Sequence, residues 1–383
     1  MAAEQALSRR SLLKGAAAGT GAILASGCTI TGTTPPQAAS VTRCMLPPVR
    51  VSEGRRIRSV VGLRPYRRAG FRVERETLGD KALIHNYGHG GGGITLSWGS
   101  SRLAIDLGLH GHDGPAAVIG SGIMGLTTAW LLIEQGVPVT IYTKALPPMT
   151  TSNIAGGEWY PSIVYSSNAM TPAFERQFVA ASEYSYRRFQ IMAGERYGVH
   201  WHDLYSLSNR PSRTGNTAAL LAHILPEAEI LDPGQHPFAQ PYARRIPEMF
   251  IEPPVFLREL LEDIRVAGGN VVVRDFATAG DIAALPENTI FNCTGLGARA
   301  LFGDEELIPV RGQLEILLPQ PEIDYAMKGP GGAYMFPRSD GIVCGGSTDY
   351  RNWSTEPDPQ LGAAILVNHA DIFDAMPCRN AEA

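Results

Sequence analysis

The sequence predicts an α/β fold organised around a doubly wound, mostly parallel sheet, and three observations predict it. A short apolar run, Ala116–Ile119, leads directly into Gly120-Ser121-Gly122-Ile123-Met124-Gly125 and then into a helical pattern with Leu126, Ala129, Trp130 and Ile133 inward. Gly136 closes that helix, and residues 137–142 read as a second buried strand. Downstream, an amphipathic helix near 255–266 stops at Gly268-Gly269, followed by strand patterns at 270–276 and 289–293. Strands alternating with helices at this spacing describe βαβ units.

Taken in chain order, the N-terminus reads Ser8-Arg9-Arg10-Ser11-Leu12-Leu13-Lys14 and then a weakly apolar stretch from 15 to 27. Paired arginines before such a stretch resemble a twin-arginine export signal, so residues 1–45 are expected to be a signal peptide and tether, with a periplasmic or other extracytoplasmic destination. Ala25-Ser26-Gly27-Cys28 resembles a lipoprotein processing site without its usual leucine, which leaves lipid anchoring at Cys28 open. Twin-arginine export carries folded proteins, which favours a cofactor acquired beforehand. The 383 residues, 44% hydrophobic and 18% charged, suffice for a chain with full cores. A net charge of -4 gives no reason to expect a nucleic-acid partner. The five cysteines are odd in number and lack a C-x-x-C pair, so neither a disulfide framework nor a metal site is readable.

The glycine fingerprint is specific because of its setting. Gly120 permits the tight turn, Gly122 lets a pyrophosphate approach the backbone beside Ile123 and Met124, and Gly125 lets helix and strand pack. The phosphate charge then rests on the helix N-terminus. The second strand ends in Tyr142-Thr143-Lys144 where an acid usually meets the ribose, and Lys144 keeps an NADP-type alternative open. Phe276 and Thr294 stand at strand ends, where nucleotide ligands sit in such sheets.

Several further segments carry a resemblance to a known family. They are Thr150-Thr151-Ser152-Asn153-Ile154-Ala155-Gly156-Gly157-Glu158-Trp159, Asn292-Cys293-Thr294-Gly295, Arg311-Gly312-Gln313, Tyr334-x-x-Pro337, Gly345-Gly346 and Asn352-Trp353-Ser354. The sharpest are Gly62-Leu63-Arg64-Pro65 and the run from His85 to Thr95, His-Asn-Tyr-Gly-His-Gly-Gly-Gly-Gly-Ile-Thr. Together these resemble the FAD-dependent D-amino acid oxidase family over nearly all of 55–355. The resemblance implies that Thr150, Thr151, Ser152, Gly156, Gly157 and Trp159 wrap the flavin. It also implies that Gly90, Gly91, Gly92, Gly93, Ile94 and Thr95 lie under its ring, and that Arg64 holds the substrate carboxylate. Three departures accompany it. The Arg64 and 85–95 segments precede the fingerprint instead of following it, Pro330 stands where a second active-site tyrosine is usual, and Lys144 replaces an acid.

The chemistry requires a carboxylate anchor, an acceptor for the amine and stabilisation of negative charge on the ring. Arg64 suits the first, with its planar fork, while Arg67 and Arg68 read as solvated neighbours. Tyr334 is expected to donate to the same carboxylate, and the backbone carbonyl of Gly91 to accept the amine, so no acid–base side chain is required. His85 and His89 read as structural. The helix after Thr95, an apolar-periodic one carrying Trp98, Ile105 and Leu107, directs its positive end at the site.

The expected architecture is therefore α/β, with a Rossmann-like FAD-binding domain and a smaller mixed-sheet substrate domain. The boundaries are 46–75 joining the substrate domain, 76–164 and 251–304 forming the FAD-binding domain, 165–250 and 305–355 the substrate domain, and 356–383 a C-terminal helix and tail. The expected reaction converts a D-amino acid, O₂ and water to a 2-oxo acid, ammonia and hydrogen peroxide. The alternatives are a flavin dehydrogenase passing electrons to a quinone or carrier, and a catalytically silent exported flavin-binding module. Expected partners are the D-amino acid, O₂ and the twin-arginine export machinery, with a homodimer left open. The motif order also predicts a circular permutation, with 108–114 as the new bridge.

Overall fold

The computed structural model describes residues 45–211 and 215–377. The twin-arginine pattern, Cys28 and most of the tether lie outside the described residues. Two sheets organise the rest.

Strand β1 (Arg56–Tyr66) opens the larger sheet, whereas β2 (Arg72–Leu78) and β3 (Lys81–Tyr87) form a hairpin at the edge of the smaller one. A single turn of 3₁₀ helix at Gly90–Gly92 then enters α1 (Gly93–Gly108). The fingerprint unit follows as β4 (Ala116–Ile119), α2 (Ile123–Glu134) and β5 (Val139–Thr143). Next come α3 (Pro172–Ile191), β6 (Val199–Ser208), the short α4 (Asn216–Leu220), β7 (Glu229–Leu231) and β8 (Tyr242–Ile251). The chain returns to the smaller sheet through α5 (Pro253–Val266), β9 (Asn270–Val273), α6 (Ala279–Ala283), β10 (Thr289–Asn292) and α7 (Gly297–Phe302). It finishes in the larger one with β11 (Ile308–Leu317), β12 (Tyr325–Lys328), β13 (Tyr334–Arg338), β14 (Gly341–Gly345), β15 (Asp349–Tyr350) and α8 (Pro359–Asp374).

The smaller sheet has the order β2-β3-β10-β4-β5-β9, parallel except for the β2 edge. Its central strands β3, β10, β4 and β5 are short and buried on both faces, so alternate residues serve different cores. In β4, Ala116 and Val118 join the cluster under α1, α2, α3 and α5, while Ala117 and Ile119 join the opposite one with Phe276 and Ile282. Helix α5 shows the same logic at helical period: Phe256, Leu257, Leu260, Leu261 and Ile264 are buried, and Pro253 starts the helix where no intrahelical N–H is needed.

The nine-stranded sheet has the order β1-β11-β14-β13-β12-β6-β8-β7, with β15 on β11. Strand β1 runs antiparallel to β11 from Arg56↔Leu317 to Tyr66↔Ile308, which sets Gly62 opposite Gly312.

Several expectations shift locally. Strand β9 stops at Val273 instead of reaching 276, because residues 274–276 turn away to line a cavity. Leu107 is exposed, as α1 turns its other face to the core through Trp98 and Ile105. Trp130 of α2 is only half-buried and donates to Glu134 at 2.7 Å. No helix among the described residues is long and apolar enough to cross a membrane.

Helix α1 packs on α3 at backbone distance. A Cβ placed on Gly99 would stand 1.9 Å from the Ala181 carbonyl oxygen. Gly99→Ala must therefore push the two helices apart, an overpacking cost of about 1–3 kcal/mol. The expected outcome is a lower thermal midpoint by circular dichroism, and an unchanged midpoint would show that this contact is absent.

Candidate active site

A cavity of about 820 Å³ connects the two sheets, and residues from both line it. At one end the turn after β4 supplies Gly120, Gly122, Ile123 and Met124. Gly120 has φ +109, and a Cβ there would come within 2.6 Å of the Cys293 carbonyl oxygen. Gly125 does not line the cavity. A Cβ on it would stand 1.8 Å from the Gly120 carbonyl oxygen, so it serves the packing of helix on turn. The Ser152 hydroxyl accepts from the Ile123 N–H at 3.0 Å, marking a donor at the start of α2.

The strand ends beyond this turn supply Lys144, Arg274, Phe276 and Thr294. The Phe276 ring lies 6.0 Å from that of Tyr142, with the Arg274 guanidinium 4.7 Å above it. Strand β9 runs beside β5, so Asp275 lines the same end as Lys144 and offers a carboxylate that β5 itself lacks. The Thr294 hydroxyl donates to Asn292 at 2.7 Å, Asn292 contacts His85 at 2.9 Å, and His85 contacts Glu76 at 3.0 Å. Burial lowers the His85 pKa. The ring is thus a link between strands, consistent with a structural role.

The glycine run forms the middle of the cavity. Gly90 has φ +56, and a Cβ on it would stand 1.9 Å from the Ile163 carbonyl oxygen. The Gly91 N–H donates to that same oxygen at 3.2 Å. Gly90, Gly91, Gly93, Ile94 and Thr95 line the cavity, whereas Gly92 is held against Val164 outside it. His89 stacks on Phe71 with ring centres 4.8 Å apart, and complete burial pushes its pKa down to about 3. Burial thus disfavours its protonated form.

From the larger sheet, Arg64 and Tyr334 enter the same cavity. The Arg64 guanidinium lies over Gly312, where a Cβ would stand 2.4 Å from Nη1, and the Tyr334 ring lies over Gly345 in the same manner. Burial raises the Tyr334 pKa, and the adjacent Arg64 charge opposes part of that shift. Arg67 departs from the expected solvated role. It is 15% exposed and bridges Asp304 at 2.9 Å and Glu306 at 3.0 Å.

The segment 150–163 closes the cavity and corrects one assignment. Thr150, Thr151, Ser152, Gly156 and Gly157 line it, but Trp159 does not. Glu158 bridges to Phe250 in extended geometry, so successive side chains point to opposite sides. Glu158 and Tyr160 face the cavity, while the Trp159 indole is fully buried in the core, 4.6 Å from the Tyr186 ring. Sequence reasoning also passed over Lys328, Tyr160 and Ile163. Ile163 carries φ 52, a rare conformation for a β-branched residue, and no sequence signal marks it. Among the described residues no cluster of acidic, histidine and cysteine side chains fits a metal ion.

This geometry suits a long dinucleotide. A helix N-terminus with a bare glycine turn accepts a pyrophosphate, and a second set of backbone-only walls admits a flat ring system in the middle. Comparison with known proteins agrees. A family model described as FAD dependent oxidoreductase (DAO) matches residues 116–379. A D-amino-acid oxidase of Streptomyces coelicolor is 32% identical over 276 residues, covering 67% of this chain and 76% of that protein. A D-amino-acid oxidase of Rubrobacter xylanophilus is 30% identical over 261 residues, covering 66% and 74%. Among solved structures, glycine oxidase from Geobacillus kaustophilus superposes with a TM-score of 0.53 at 17% identity, covering 69% of this chain and 79% of that one, which supports the fold. The cofactor is FAD, and the chain belongs to the DAO family of FAD-dependent oxidoreductases.

Proposed function

We propose that the protein oxidatively deaminates D-amino acids, with O₂ as the electron acceptor. The observation that carries this reading is the meeting of Arg64 and Tyr334 in the cavity that also holds the fingerprint turn and the glycine run. When bound, FAD supplies the acceptor for the hydride leaving the substrate's α-carbon. The chain's own groups orient that carbon. The Arg64 fork and the Tyr334 hydroxyl bind the two carboxylate oxygens, and the Gly91 carbonyl receives the amine. The N-terminus of α1 directs partial positive charge at the cavity. No side chain in this scheme removes a proton, in keeping with a His89 whose burial disfavours the imidazolium that proton abstraction would create and a His85 engaged by Asn292 and Glu76. D-enantiomer preference draws support from the D-amino-acid oxidases among the relatives.

We also propose that the chain is a circular permutation of the family's usual order. The family model begins at Ala116, the first residue of β4, although the Arg64 strand and the glycine run precede it. Met376 and Phe373, near the end of the described chain, share a hydrophobic cluster with Val49 and Val51. The two segments that the usual order would join are thus neighbours, and the link from α1 to β4 is short. Residues 1–45 are proposed to export the folded, FAD-loaded protein.

Three outcomes are expected. Arg64→Ala should remain yellow but lose roughly 30-fold or more in kcat/KM on D-amino acids, as truncating one partner of a buried charge pair costs about 2–5 kcal/mol. Activity within threefold of the parent in an oxygen-dependent peroxide assay would remove Arg64 from this role. A rearranged chain, opened within 109–115 and joined from 377 to 45 by a short linker, should fold and bind FAD. Failure of several linker lengths to give a flavoprotein would overturn the permutation. Replacing Arg9 and Arg10 with lysine should retain the protein in the cytoplasm, and export of that variant would exclude the twin-arginine route.

A further inference from the structure

Beside Tyr334, two charged side chains face the cavity without a role in the chemistry above. Lys328 ends β12 directly across the ladder from Tyr334, so both project from the same face of the sheet. Its ammonium pairs with the Glu158 carboxylate and lies 5.1 Å from the centre of the Tyr160 ring. Glu158 is close enough to Tyr334 to raise the pKa of its hydroxyl. The pair therefore lines the cavity beside Tyr334.

The pair is asymmetric. The Lys328 side chain is 34% exposed and that of Glu158 only 11%, so an entering group meets the ammonium first. Behind Glu158 lies Glu248, whose carboxylate accepts from the Met249 N–H at 3.1 Å. Burial and the Glu158 charge hold Glu248 well above the usual carboxylate range, with Lys328 opposing. One lysine thus already serves two acids. Its ammonium has three N–H donors, and one is directed at Glu158.

We infer that Lys328 and Glu158 form the wall of the substrate's side-chain pocket and select neutral side chains that accept a hydrogen bond, amides above all. The inference rests on the amino-acid oxidase reading. An amide carbonyl takes a spare ammonium donor, and the amide NH₂ can serve Glu158 in return. An apolar side chain strips water from the ion pair and returns no hydrogen bond. An acidic one sets a third carboxyl group around one lysine.

Three unbranched D-amino acids of similar length isolate this chemistry: D-glutamine, D-methionine and D-glutamate. D-Alanine, too short to reach the pair, serves as the reference. Purified holoenzyme is assayed for kcat and KM, and for anaerobic loss of flavin absorbance. D-Glutamine should exceed both isosteres in kcat/KM by about tenfold or more, since a site built to hydrogen-bond discriminates strongly against analogues lacking the group. Lys328→Met should lower the D-glutamine to D-methionine ratio of kcat/KM at least tenfold in protein that stays folded and yellow. Glu158→Gln should raise D-glutamate relative to D-glutamine. Parent enzyme that turns over D-alanine but favours D-methionine or D-glutamate over D-glutamine overturns this inference and leaves the proposed function standing, and that measurement needs no variant to fold. A ratio unmoved by Lys328→Met in a folded, yellow protein overturns it equally. Flavin that no member of the panel bleaches overturns the proposed function itself.

Discussion

The constraint on which the rest depends is backbone approach around the cavity. Glycines in three segments, 88–93, 120–125 and 156–157, line it, and several of them lie against the carbonyl oxygens of distant residues. A single Cβ on Gly90 would stand 1.9 Å from the Ile163 carbonyl oxygen, and one on Gly157 would stand 2.2 Å from that of Ile251. Gly90 and Gly157 also hold positive φ, which a side chain would strain. A side chain at either position would push these walls of the cavity apart.

The same economy governs the charged groups. Arg64 spreads its guanidinium over Gly312 and Tyr334 spreads its ring over Gly345, so two glycines on adjacent strands make room for the carboxylate anchor. Polar links elsewhere are spent on rigidity. Glu76, His85, Asn292 and Thr294 tie β2, β3 and β10 together beneath the cavity's strand-end wall. Ser101, Thr127 and Thr128 do the same between α1 and α2, with Asn86 donating to Ser101 and Thr128. Such buried networks hold a ligand cavity in shape because their hydrogen bonds are strong in a low-dielectric interior and costly to leave unmade.

The alternation of side chains along an extended segment explains both the misplaced residue and the overlooked ones. Glu158, Trp159 and Tyr160 are consecutive, and of these the family-like motif singled out the tryptophan. The bridge of Glu158 to Phe250 fixes which face is inward, and it sends Trp159 to the core. Lys328 was equally silent, since a lysine in a Tyr-Ala-Met-Lys run carries no pattern of its own. Its significance comes from standing opposite Tyr334, a pairing made by residues six apart through a tight Gly-rich return.

The sequence by itself determined the α/β class, the fingerprint turn with its flanking strands, and the glycine run leading into a helix. These are local features, written in apolar period and in glycines whose backbone conformation no other residue adopts readily. Arg64 and Tyr334 were legible as separate motifs. Only the tertiary structure decided that they share one cavity, because β1 and β13 are brought together through β11 and β14 and not through neighbouring sequence. It likewise decided that Arg67 is an ion-pair bridge, that β9 ends at Val273 and that Ile163 holds a strained backbone. Each of those outcomes depends on a partner from a distant segment, and no local period or propensity encodes the partner.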